Sequence, residues 1–223
     1  MDVVERGQRV KKRGRFFVLE GIDGAGTTTQ VARLRDRLAQ HGLSVRSTCE
    51  PSQGPVGAMI RQVLSGRIVL PGRQAPGWAT MALLFAADRL DHVDAEIAPY
   101  VADGGIVISD RYDASSLAYQ SVTSGGDDGA IDWIRSLNRY AMRPDLTVVL
   151  DVGSERAAER RSARGQAAEL YERNEVQQAL AIFYRNLPSH MPTDRIVVLD
   201  GAGSIDEVTE RILALLMPLI EAP

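Results

Sequence analysis

Four short apolar runs, each closing on an acidic residue, set the architecture of this chain. They read FFVLE at 16–20, IVISD at 106–110, TVVLD at 147–151 and IVVLD at 196–200. Odd and even positions alike are apolar, the pattern of strands buried on both faces and therefore of a parallel sheet. A fifth, weaker strand is predicted over 44–49. Helical periodicity fills the intervals. Val31, Leu34 and Leu38 share one face over 28–41, where Gly42 is a stop signal, and a long periodic stretch covers 80–101. An amphipathic segment over 204–220 closes the chain. Strands alternating with helices predict right-handed crossovers and a doubly wound α/β sheet of about five strands flanked by helices. Ligands of such sheets gather beyond the carboxyl ends of the strands, so the terminal acids point toward a site.

Composition narrows the class. Of the 223 residues, 44% are apolar and 25% charged, which is globular composition. No run approaches the roughly 18 to 20 apolar residues that span a bilayer, and no apolar block follows the N-terminal charges, so neither a membrane nor a secretory signal is expected. A net charge of −3 argues against a nucleic-acid partner. Cys49 is the single cysteine, which excludes an internal disulfide and suits the cytoplasm. Residues 1–14 form a basic extension, expected to be disordered, and a single domain follows over 15–223. Lys11 and Lys12 are the only lysines, so every other cationic task falls to arginine.

Directly after the first strand, Gly21-Ile22-Asp23-Gly24-Ala25-Gly26-Thr27-Thr28 leads into a helix. Apart from one position this is G-x-x-x-x-G-K-[ST] in its strand–loop–helix context. The glycines let main-chain N–H groups turn around an anion, and the new helix adds its positive end. Thr28 stands where a loop hydroxyl coordinates Mg²⁺. Thr27 stands where the lysine belongs and offers a hydroxyl without charge, so an arginine from elsewhere must supply the cation.

From here the chain resembles the bacterial thymidylate kinases. FFVLEGIDGAGTTTQ over 16–30 looks like their opening segment, and four further segments match in order. Glu50-Pro51, with Gly57 and Ile60-Arg61, is similar to the family's R-E-P-G-G-T segment, although Cys49 replaces its arginine. LFAADRLDH over 84–92 resembles L-F-A-A-D-R-x-x-H. Phe85 and Arg89, four apart, share a helix face that presents a ring and a cationic fork, and the resemblance implies that they hold thymine. DRYDASSLAYQ over 110–120 matches D-R-Y…S-S-x-A-Y-Q. Asp110 ends a strand where a carboxylate reaches Mg²⁺, and Arg111 can fork onto an acceptor phosphate. By the same resemblance Ser116, Tyr119 and Gln120 line the nucleoside, and Asp23 serves the acceptor's 3′-hydroxyl.

Asp151 through Arg160, Arg161, Arg164 and Gly165 is similar to the stretch that precedes the family's lid, placed here near 161–172. Arg160, Arg161 and Arg164 are the candidate replacements for the missing lysine, with Arg164 ranked as catalytic beside Arg111 and Asp23. The resemblance thus implies a P-loop kinase fold, ATP as donor, dTMP as acceptor, Mg²⁺ as cofactor and a homodimer. Two other readings remain open: a different nucleotide kinase on the same scaffold, or a nucleotide-binding paralogue with little turnover.

Overall fold

The computed structural model describes residues 13–72, 74–164, 170–171 and 173–222. Five parallel strands form one sheet: β1 (Arg15–Glu20), β2 (Val45–Cys49), β3 (Ile106–Asp110), β4 (Leu146–Asp151) and β5 (Ile196–Asp200), in the order β2-β3-β1-β4-β5. All five runs read from the sequence are present. β1 is central, and Phe16, Phe17, Val18 and Leu19 are all fully buried. Its alternate residues serve two cores. Phe17 and Leu19 pack with the larger cluster, and Phe16 and Val18 with a smaller one around Ile97, Val101 and Tyr112. The register sets Leu19 beside Asp110 and Cys49 beside Asp110, so the strand-end acids share one edge of the sheet.

The helices are α1 (Thr27–Gln40), α2 (Pro55–Leu64), α3 (Trp78–His92), α4 (Ala98–Ala102), α5 (Asp113–Thr123), α6 (Ala130–Leu137), α7 (Ser154–Arg164), α8 (Asn174–Arg185), α9 (Leu187–His190) and α10 (Ile205–Glu221). The periodic stretch predicted over 80–101 is α3 and α4 joined by a π-helical turn at Val93–Ile97. α10 opens with a capping box: Ser204 Oγ accepts from Glu207 N, and the Glu207 carboxylate accepts from Ser204 N at 2.7 Å.

Gly14, counted with the N-terminal extension in the sequence reading, is buried, and its N–H donates to Val101 O at 3.0 Å. The rest of that extension, residues 1–12, lies outside the described residues apart from Arg13, as do 165–169 and 172 of the expected lid. Among the described residues no helix is long and apolar enough to cross a membrane.

Candidate active site

The loop after β1 packs beneath α7 so closely that a side chain is forbidden at one point. A Cβ on Gly24 would sit 2.4 Å from Ala157 O, and Gly24 also holds a positive φ of 91°. Gly26, at φ 99°, leads into α1. No side chain caps α1 and its first turn contains no acid, so the unpaired N–H groups of that turn stay available to an anion. Thr27 is buried at the foot of the helix. Two cations reach the loop from α7. Arg160 Nη1 donates to Ala25 O at 3.2 Å and Gly24 O at 3.4 Å, and Arg161 Nη1 donates to Asp23 O at 2.5 Å. Two guanidinium groups thus lie against a loop that has no ammonium of its own.

β3 delivers Asp110 opposite this loop. Thr28 Oγ1 donates to Asp110 Oδ2 at 2.5 Å, while the buried Asp110 Oδ1 has no partner among the described residues. Those oxygens fit a divalent cation. Among the described residues no group of three or more His, Cys, Asp or Glu could cage one, so most of its ligands would have to be phosphate oxygens and water.

Arg111 follows in the left-handed region at φ 74°, a conformation costly for a residue with a Cβ. Its surroundings over-determine that geometry. Nη2 donates to Asp23 Oδ1 at 2.6 Å and Nη1 to Ser115 Oγ at 3.2 Å. Beneath it, fully buried Glu20 fastens the chain: Oε1 accepts from Tyr112 N at 2.8 Å and Ser115 N at 3.1 Å, and Oε2 accepts from Ser115 Oγ at 2.7 Å and Tyr184 Oη at 2.9 Å. Burial pushes the Glu20 carboxyl up to about 7, against the pull of the neighbouring Arg111 charge and those hydrogen bonds.

Beside Arg111 lies a pocket floored by Arg89 and walled by Phe85, Pro51 and Tyr119. Arg89 is 1% exposed, which only a set of paired partners permits. Nη2 donates to Glu50 Oε2 at 2.7 Å, Ser116 Oγ at 3.0 Å and Tyr112 O at 3.1 Å, and Nη1 to Asn138 Oδ1 at 2.5 Å. Arg89 Nε, the Tyr119 hydroxyl and both ends of the Gln120 amide are buried in this lining without a well-aligned hydrogen bond among the described residues, the Tyr119 hydroxyl facing Asp23 and Gln177 and the Gln120 amide facing Tyr171. Burial pushes the Tyr119 phenol well above its ordinary value, with Asp23 adding to the effect and Arg111 opposing it. The hydroxyl is therefore a neutral donor.

The comparisons with known proteins bear on the whole of this arrangement. The thymidylate kinase family model matches residues 19–212. A "Probable thymidylate kinase" of Pyrococcus abyssi is 37% identical over 203 residues, covering 91% of this chain and 96% of that protein. The chain belongs to the thymidylate kinase family. A "Thymidylate kinase" of Pelobacter propionicus is 35% identical over 208 residues, covering 90% of this chain and 93% of its own length. One of Synechococcus sp. is 42% identical over 159 residues, covering 69% and 74% respectively.

Within this family member the residues singled out from sequence fall into three groups. Asp23, Glu50, Pro51, Phe85, Arg89, Arg111, Ser116, Tyr119 and Gln120 converge on one pocket. Thr28 and Asp110 meet each other, and Arg160 joins Gly24, Ala25 and Gly26 around a second cavity. Arg61 is not in the first lining. It donates to Pro51 O at 3.0 Å and Ser52 O at 2.5 Å, and so shapes the loop that carries Glu50. Arg164 ends α7, and its side chain lies outside the described residues.

Sequence reasoning missed several members of the site. The second cavity is completed by Gly201, Gly203, Ser204 and Ile205 after β5, where small residues following a strand-end acid were the only signal. His92 is buried, with Nε2 2.7 Å from Thr48 Oγ1 and Nδ1 3.4 Å from Glu50 Oε1. Glu20 had a signal, as the acid ending β1, but no partner to distinguish it. Gln177 and Asn138 had none.

Proposed function

We propose that the chain transfers the γ-phosphoryl group of ATP to dTMP, giving dTDP and ADP. The observation that carries this reading is the convergence of buried polar atoms without well-aligned hydrogen bonds, from Arg89, Tyr119 and Gln120, on one pocket beside Arg111. Such atoms cost free energy unless a ligand satisfies them. A pyrimidine with its deoxyribose supplies complementary partners, with Phe85 as the stacking surface and Arg89 Nε donating to a base carbonyl. Tyr119 and Gln120 would meet the nucleoside and Arg111 its phosphate.

The donor phosphates would lie on the loop 21–28, with the base directed toward the cavity bounded by residues 201–205. Thr28 and Asp110 would hold a Mg²⁺ ion, which would supply neutralisation of polyphosphate charge. Everything else asked of the chain is alignment and electrostatics. Arg111 stands between the two sites and can draw the acceptor oxygen and the γ-phosphorus together as charge spreads over the transferring group. Arg160 and Arg161 supply the positive charge that Thr27 does not. Exposed Met59 and Leu83 on α2 and α3, with Ile68, Val69 and Leu70 after α2, fit a homodimer made through that side. Cytoplasmic nucleotide pools suit both substrates and the free thiol of Cys49.

Purified protein with ATP, Mg²⁺ and dTMP is expected to form dTDP, with dUMP and dCMP as poorer acceptors. Formation of no dTDP in that mixture would overturn the reading.

A further inference from the structure

Asp23, which ties the phosphate loop to Arg111, is gripped from two helices. Arg161 of α7 donates to its carbonyl oxygen. The second grip comes from Gln177 of α8, 154 positions away in sequence and only 1% exposed. Gln177 Nε2 donates to Asp23 Oδ2 at 2.7 Å and to Tyr171 O at 2.9 Å, and Oε1 accepts from Asp23 N at 3.1 Å. A primary amide has two N–H groups and one carbonyl, and here all three are engaged. The other Asp23 oxygen, Oδ1, accepts from Arg111 Nη2 at 2.6 Å.

We propose that Gln177 is a positioning residue for phosphoryl transfer. By holding one oxygen of Asp23 it leaves the other fixed toward Arg111, and so sets the guanidinium between the phosphate loop and the acceptor pocket. The inference rests on the kinase reading above and adds a residue that touches neither substrate.

The chemistry of the pair makes this separable from a merely structural role. Gln177→Glu keeps an acceptor for the Asp23 N–H but places a second carboxylate at hydrogen-bonding distance from the first. The charged or titratable groups around the pair are Arg111, Tyr119, Arg161 and Tyr171, and Glu20 and Tyr184 act on Arg111 from beneath in the parent and the variants alike. Two carboxylates at such a distance, one buried and one partly buried, share one proton, and the shared proton remakes the missing hydrogen bond. When that proton is lost the carboxylates repel and Asp23 swings from Arg111.

The test compares kcat of Gln177→Glu, Gln177→Ala and the parent with ATP and dTMP across the pH range. Expected is a Gln177→Glu kcat lower than the parent by about ten- to a hundred-fold at about pH 8.5, the scale of a displaced catalytic group, recovering to within about three-fold at about pH 6. Gln177→Ala should be depressed by a similar factor at both pH values, with KM for ATP near the parent's. A Gln177→Glu to parent ratio that does not change with pH would overturn the proposal, as would a folded Gln177→Ala with parental kcat. If Gln177→Ala does not fold, the pH-dependent ratio of Gln177→Glu still decides. A parent that forms no dTDP sinks the kinase reading itself; an active parent with unaltered variants sinks only the role of Gln177.

Discussion

The Arg111 guanidinium donates to Asp23 Oδ1 at 2.6 Å, joining the turn after β3 to the phosphate loop after β1. Both side chains are partly buried, and Ser115 Oγ takes a second guanidinium nitrogen. The fork is therefore aimed before any substrate arrives, and preorganisation of this kind lowers the cost of reaching the transition state. Arg111→Lys keeps a charge but cannot serve Asp23, Ser115 and a phosphate together. Its kcat should fall about a hundred-fold, with a smaller change in KM for ATP, measured by a coupled ADP assay. Loss confined to KM would show that Arg111 binds the acceptor without assisting transfer.

Glu20 makes stability depend on pH. Its folded value is raised from 4.5 to about 7 by burial. A carboxyl with a raised folded value favours the fold when protonated, so its contribution is fully present below the unfolded value and is lost as pH climbs through about 7. That rise corresponds to an upper bound on the order of 3 kcal/mol. Thermal melts should show a lower Tm at pH 8 than at pH 5.5, and Glu20→Gln should flatten that slope. A slope unchanged in Glu20→Gln would mean that other groups carry it.

The inner sheet was legible because β3, β1 and β4 are buried on both faces, which leaves apolar residues at both parities, as in IVISD and TVVLD, whereas the edge strands β2 and β5 are only partly buried, IVVLD included. The phosphate loop was legible because glycine is forced where α7 approaches Gly24. What escaped depends on contacts distant in sequence. Gln177 meets Asp23 across 154 positions, and Asn138 meets Arg89 across 49. No periodicity encodes such a meeting. The fully buried ion pair of Arg89 with Glu50 was hidden for the same reason: each residue alone reads as a surface charge, and only the fold puts one in reach of the other.

The missing lysine is testable by restoring it. Arg160 and Arg161 lie at the loop that Thr27 leaves uncharged. Arg160→Ala and Arg161→Ala should each lower kcat by about ten-fold or more, the scale of removing a transition-state cation. Arg164→Ala should do the same if its guanidinium joins them. Thr27→Lys combined with Arg160→Ala should regain part of the loss. A double variant no better than Arg160→Ala alone would mean that Arg160 acts by bracing the loop carbonyls rather than by its charge.

Thr28 and Asp110 offer the remaining test. Their side chains meet at 2.5 Å, and the second Asp110 oxygen is left without a partner among the described residues. Asp110→Asn replaces a carboxylate with a neutral amide that can present only one acceptor oxygen to a cation. The Mg²⁺ concentration for half-maximal rate should rise about ten-fold, and Thr28→Ala should raise it by a smaller factor. Because both residues would act on one ion, the double variant should lose less than the product of the two single effects. Strict multiplication of the two losses in a Mg²⁺ titration would show that they do not share a cation.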